Sequence, residues 1–270
     1  MTVPMRLALK IAYDGRAFFG HQRQPDARTV EGECLRALKA AGILKDPKEA
    51  FFRSASRTDR GVSAVGNVIA FHSSLPAEAT VGAFNDKARD VWAWAVAEVP
   101  DDFHPRRAIE RWYRYHLFEE LSLGPLREAA AEFEGEHDFR SFTSEPVERP
   151  LSIRRIEVQR DGRAILVDVY ARSFRRGMVR RIVAALVVHA RGDATLEEIR
   201  GALRGMRRDF GSVPPEPLFL MDVRFPFDFR IILKPKVLDE WRAMEVEMDL
   251  RSRWLLSVRR AAEARASSSN

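Results

Sequence analysis

Residues 50–73 read AFFRSASRTDRGVSAVGNVIAFHS, and the way this stretch divides decides the fold. Ala50–Ser56 and Val65–Ser73 have the length and apolar content of strands, and the charged turn Arg57–Gly61 separates them. Two strands therefore follow one another with a charged motif between them. Upstream, Met5–Tyr13 (MRLALKIAY) alternates as a half-buried strand and closes at Asp14-Gly15. Thr29 is placed to cap a helix whose Val30, Cys34, Leu35 and Leu38 share one face and which Gly42 can end. Downstream, a short helix over 80–90 precedes the strand VWAWAVAEVP, Val91–Pro100. The order β, α, β, β, α, β is that of a ferredoxin-like split βαβ unit.

A second round begins near Arg111. RWYRYHLFEE alternates as a strand, LREAAAEFEG reads as a helix, and 152–172 reads as a hairpin turning at Asp161-Gly162. The next helix turns Met178, Ile182, Ala185 and Leu186 inward and stops at Gly192; a short helix follows Thr195, and LFLMDVRF is a last strand. The reading is an α+β chain of two ferredoxin-like halves, 1–104 and 105–235, which share an antiparallel sheet with a basic cleft between them. The repeat lies in element order rather than in sequence identity. Residues 236–270 form a tail, expected to be an amphipathic helix from Lys236 to Arg265 with Ser267–Asn270 disordered.

Composition narrows the function. A chain of 270 residues with 46% hydrophobic content can bury a substantial core, and its formal net charge of +6 favours an anionic partner. Only seven of the 45 basic residues are lysine. Arginine's planar fork suits phosphate, although a GC-rich coding bias produces the same excess. A single cysteine, Cys34, excludes an intrachain disulfide and a cysteine-rich zinc site, and the six histidines lack metal-ligand spacing. No metal is expected. No segment approaches the ~20 apolar residues of a membrane span, and no signal-peptide core opens the chain, so the expected location is the cytoplasm.

Within the central motif, Asp59 has the chemistry of a nucleophile or charge stabiliser, with Arg57 or Arg60 beside it to favour the ionised form and Gly61 to allow a sharp turn. A solvated turn is the plainer reading of the motif taken alone. Tyr113 and Tyr115 alternate with Arg114, so the two rings share a strand face that can receive a base. Trp112 and Phe118 read as ordinary core or sheet-surface aromatics. Arg172, Arg175, Arg176, Arg180, Arg181 and Arg191 fall in one run without an acidic residue. Such a run can gather a phosphate backbone.

Seven blocks in fixed order carry a resemblance: YDGRAFFGHQRQ (13–24), RTDRGVSA (57–64), DDFHPRRA (101–108), RWYRY (111–115), EGEHDFRSF (134–142), FRRGMVRRIV (174–183) and PPEPLFL (214–220). Together they resemble the tRNA pseudouridine synthase A family from about Ala8 to Phe225. The resemblance implies an isomerase that converts uridine to pseudouridine in the anticodon stem-loop of tRNA, and generally a homodimer. It implies Asp59 as the essential aspartate, Arg180 as its paired arginine, Tyr113 as the ring packed on the target base, Arg57 in gating the flipped base, and Leu218 in the pocket wall. Arg172, Arg175, Arg176 and Arg181 are then candidate RNA contacts. The chain departs from the family pattern at His21, Ser63, Arg175–Gly177 and Pro217.

The implied reaction breaks the N1–C1′ bond and joins C5 to C1′ with no net redox change and no group transferred, so no cofactor is expected. A carboxylate serves attack at C1′, attack at C6, or elimination to a glycal, and the sequence leaves those routes open. The alternative from another class is a non-catalytic RNA-binding or RNA-folding protein. Against it, a binder gains nothing from a carboxylate in a phosphate-attracting cleft. A phosphate-ester hydrolase lacks a second carboxylate suited to a metal near Asp59.

Overall fold

The computed structural model describes residues 4–267. The first half runs β1 (Met5–Tyr13), α1 (Val30–Ala40), β2 (Arg53–Ser54), β3 (Ser63–Ser73), α2 (Ala77–Lys87) and β4 (Val91–Glu98). The second runs β5 (Glu110–Leu117), α3 (Leu123–Glu132), the small strands β6 (Gly135–His137) and β7 (Leu151–Ile153), then β8 (Arg155–Asp161), β9 (Ala164–Ala171), α4 (Met178–Ala190), α5 (Leu196–Leu203) and β10 (Leu218–Arg224). β11 (Arg230–Ile231) returns to pair with β4.

The expected α+β architecture is present. The sheet order is β11-β4-β1-β3-β10-β5-β9-β8, with β2 also on β3. Each half thus has the split βαβ order, β4-β1-β3-β2 in one and β10-β5-β9-β8 in the other. Every named pair is antiparallel except β3 with β10, which run parallel where the halves join.

Local chemistry accounts for the helices. Thr29 accepts the Gly32 amide at 3.2 Å and starts α1, which buries Val30, Cys34, Leu35 and Leu38. Thr195 and Glu198 form a capping box at α5. α4 buries Met178, Ile182, Val183, Ala185 and Leu186, so its inward face matches the pattern read from sequence.

The short strands β6, β7 and β11 were not expected, β7 standing apart from the hairpin read over 152–172, and two of the expected elements differ in extent. The strand expected over Ala50–Ser56 is reduced to Arg53–Ser54, because Asp46 Oδ1 accepts the Lys48 and Glu49 amides at 2.6 and 3.1 Å and holds the preceding residues in a turn. β2 also has only part of an edge to pair with: it lies against Ala70 and Ile69, while β10 takes Ser63 and Ala64 of the same strand. The tail helix α6 (Pro235–Ser267) extends through Ser267, one residue into the segment expected to be disordered; residues 268–270 lie outside the described residues. It belongs to a separate compact unit that begins at Ile232. Its exposed Val246, Leu250 and Trp254 follow one i, i+4 row while Met248 and Leu255, seven residues apart, lie on the opposite side, so a single apolar face is not formed. Ion pairs at i, i+4, Glu247 with Arg251 and Asp249 with Arg253, both at 2.6 Å, support its exposed turns.

Candidate active site

The parallel junction gathers the site. With Ser63 opposite Phe219 and Ala64 opposite Leu220, the loop entering β3 and the residues opening β10 lie at the same end of the sheet. Antiparallel pairing then sets Leu218 across from Tyr115 and Leu220 across from Tyr113. The first turn of α4, entered through the left-handed Gly177, carries Arg180 to the same place. The result is a cleft of about 1330 Å³ lined by Arg57, Asp59, Tyr113, Arg180 and Leu218. Arg175, Arg176 and Arg181 line it as well. Arg172 does not; it is exposed, and its carbonyl accepts from Arg111 Nη1.

Asp59 sits in the loop between β2 and β3, half-buried. Arg180 Nη1 stands 3.5 Å from its Oδ2, and Arg180 Nε donates to the Val213 carbonyl at 2.8 Å, which fixes the guanidinium's direction. Arg176 Nε lies 3.8 Å from Oδ1. The carboxylate is therefore held between two guanidinium groups, but not those expected from the motif. Arg60 lies over the Phe19 ring at 4.3 Å, and Arg57 forms no ion pair among the described residues. Side chains adjacent along an extended or turning backbone diverge, whereas α4 can aim at the carboxylate from across the cleft. Gly61 turns the loop at φ +86°, and a Cβ there would meet Pro215 Cγ at 3.1 Å and Glu216 Oε1 at 3.2 Å. The loop is seated directly on the 214–217 segment.

The buried layer beneath the loop was not singled out as functional by sequence reading. Tyr13 Oη and Thr58 Oγ1 are hydrogen-bonded at 2.9 Å, and Asn67 Nδ2 donates to Tyr13 Oη at 3.2 Å and to the Ser56 carbonyl at 3.0 Å. Burial pushes the Tyr13 phenol pKa upward. Arg111, also buried, donates through Nε to Ser56 Oγ and through Nη2 to the Ala55 carbonyl, each at 3.0 Å. These side chains clamp residues 55–58, the stretch that leads into Asp59. Arg111 stood in the sequence as part of RWYRY, where only its alternation with Tyr113 on the strand hinted at its inward role.

Tyr113 and Tyr115 are buried on one face of β5, while Arg114 reaches Asp168 on the other at 2.8 Å. Burial pushes the Tyr113 phenol up to about 12, partly offset by the Arg111 charge, so the hydroxyl stays protonated at neutral pH. Phe174 meets the ring edge-on at a centroid separation of 5.1 Å. Trp112 stacks on Tyr170 at the sheet surface, as expected, whereas Phe118 is 71% exposed and belongs to no core. His21 also lines the cleft; it is fully buried with neither ring nitrogen hydrogen-bonded, and burial followed by the Arg57 charge lowers its pKa to about 3. Among the described residues no group of three or more His, Cys, Asp or Glu side chains is arranged to hold a metal, and no helix is long and apolar enough to cross a membrane.

A family profile described as tRNA pseudouridine synthase matches residues 129–226. A tRNA pseudouridine synthase A from Thermococcus sibiricus is 43% identical over 266 residues, covering 94% of this chain and 100% of the relative. Proteins of the same name from Thermococcus kodakarensis and Methanothermobacter thermautotrophicus are 44% and 43% identical over 228 residues, each covering 82% of this chain and 85% and 81% of the relative.

Proposed function

The chain belongs to the tRNA pseudouridine synthase A family, an enzyme family that isomerises tRNA uridine to pseudouridine, and from that premise we propose the residues and the region of tRNA that this member uses. Asp59 is the catalytic carboxylate. The observation that carries this assignment is its position in the cleft of about 1330 Å³ with Arg180 and Arg176 aimed at it from another element. A carboxylate flanked by two guanidinium groups, one of them largely sheltered, is oriented and balanced in charge from across the cleft.

The other residues divide the remaining work. Tyr113, a neutral phenol in a buried wall, receives the face of the uracil, and Leu218 closes the pocket at the start of β10. Arg57, which makes no ion pair among the described residues, is available to the displaced nucleotide. Arg175, Arg176 and Arg181 supply positive charge for the RNA backbone along the cleft edge, and Arg172 extends it outside the cleft. A stacked uridine must leave its helix to reach Asp59, which suits the accessible bases of the anticodon arm. The protein works in the cytoplasm as a homodimer on that arm.

The test is incubation of purified protein and an Asp59→Asn variant with unmodified tRNA transcripts, followed by mapping of pseudouridine by chemical modification and primer extension. Pseudouridine in the anticodon arm from the native protein alone, with both proteins binding tRNA, is the expected result. Equal modification by both removes Asp59 from the mechanism.

A further inference from the structure

A second cavity, of about 280 Å³, opens beside the cleft and shares His21, Arg23, Arg57 and Arg106 with it. Its wall is built by the first half: the turn before β2, β2 itself, the start of α1 and the segment after β4. Lys48, Arg53, Arg57 and Arg106 all contribute. Among the described residues Lys48, Arg57 and Arg106 make no ion pair, and Arg53 donates only to the Phe52 carbonyl, at 2.8 Å. Glu31 is the one carboxylate in the wall, and it already accepts the Arg23 amide at 3.2 Å and lies 3.8 Å from the Arg23 guanidinium. Four cations without an ion pair among the described residues, set against a single carboxylate that is already engaged by Arg23, repel one another unless an anion enters. Consistently, burial and then Arg57 and Arg53 lower the pKa of Arg106.

The recess is flanked by loops tied to each other and has unpartnered polar groups in its wall. Arg6, almost wholly buried behind it, donates from Nε to the Phe103 carbonyl at 3.0 Å and from Nη1 to the Phe51 carbonyl at 3.3 Å, tying together the two loops that flank it. His104 Nδ1 accepts the Arg106 amide at 3.2 Å, so its ring proton sits on Nε2. Burial and the surrounding arginines hold that ring neutral at pH 7. Ser54 Oγ and both nitrogens of His21 are buried in residues of this wall without a hydrogen-bond partner. Buried polar atoms without partners, beside cations without partners, mark a site shaped for a polar anion.

We infer that this cavity is a phosphate-recognition subsite that holds one backbone phosphodiester of the substrate RNA next to the nucleotide delivered to Asp59. Arg57, which lines both cavities, touches the nucleotide and the phosphate together. The strand is then gripped on two sides, by α4 and its preceding arginines on one, and on the other by Lys48 and Arg53 of the first half with Arg106 of the segment that joins β4 to β5. The inference rests on the isomerase reading above.

The test uses full-length Arg53→Gln and Lys48→Gln, both exposed positions whose loss leaves the fold intact, with melting curves as control. Each variant is expected to bind tRNA transcript about tenfold more weakly and to lower the slope of log affinity against log salt by about one. A neutral methylphosphonate placed at successive anticodon-arm phosphates should weaken the native protein at one position and cost Arg53→Gln nothing further there. An unchanged slope with affinity within twofold of native overturns the inference. So does competition by inorganic phosphate with no methylphosphonate position coupled to Arg53, which makes the recess a free-anion site. Pseudouridine formation by the native protein is scored alongside: its absence removes the isomerase reading, whereas its presence with an unchanged slope removes only the subsite.

Discussion

Replacing Arg180 by methionine keeps an unbranched stem about as long as the chain to Nε and removes the charge and both of its bonds, so it isolates what the guanidinium does to Asp59. At 3.5 Å and an effective dielectric of about 20, the gross attraction is about 5 kcal/mol. Both side chains remain roughly a quarter exposed, and solvent screening cuts this to about 2 kcal/mol, the range of a hydrogen bond to a charged group. If that stabilisation is realised in the transition state, kcat/KM falls about 30-fold. Loss of the bond to the Val213 carbonyl costs stability separately, about 1 kcal/mol, and lowers Tm by about 2–4 °C. Uridine carrying tritium at C5 gives the assay, because joining C5 to C1′ releases that hydrogen to water. Arg180→Lys, which keeps the charge but lacks the planar fork, should lose less, about fivefold. A folded Arg180→Met enzyme within threefold of native refutes the assignment and leaves Arg176 as the sole cation acting on Asp59.

Three further outcomes follow from the buried layer and the loop. His21 is neutral in the fold with a pKa of about 3 against 6.5 unfolded; its contribution is complete above pH 6.5 and is lost as pH falls toward 3, about 5 kcal/mol in all. Urea unfolding across that range should show the loss, and His21→Phe should flatten it. Thr58→Val removes the bond to Tyr13 Oη and should cost about 1 kcal/mol in the same assay with a larger fractional loss of activity, since the residue adjoins Asp59. Gly61→Ala forces a Cβ into a left-handed turn against Pro215 and should destabilise by about 1–2 kcal/mol; a variant as stable and active as native contradicts the seating of that loop.

Much of this protein was legible in its sequence because the signals are local. Period-two alternation in Met5–Tyr13 and Arg111–Leu117, the Thr29 and Thr195 caps, and the turn at Asp161-Gly162 each depend on residues a few positions apart, and together they determined the order of elements and the two split βαβ units. The blocks around Asp59, Tyr113 and Arg180 likewise named the residues that the structure brings into one cleft. What only tertiary structure decided is which charges meet. The motif taken alone offered Arg57 or Arg60 as partners of Asp59 while the family blocks pointed to Arg180; the parallel junction of β3 with β10 turns that loop toward α4, so Arg180 faces the carboxylate, Arg176 joins it unannounced, and among the described residues Arg57 makes no ion pair where it stands between two cavities. The inward bonds of Arg111, the strap made by Arg6 and the shortened β2 depend in the same way on segments distant in the chain. Spacing along a chain fixes the direction of a side chain relative to its own backbone, and only the packing of distant backbones fixes what stands in front of it.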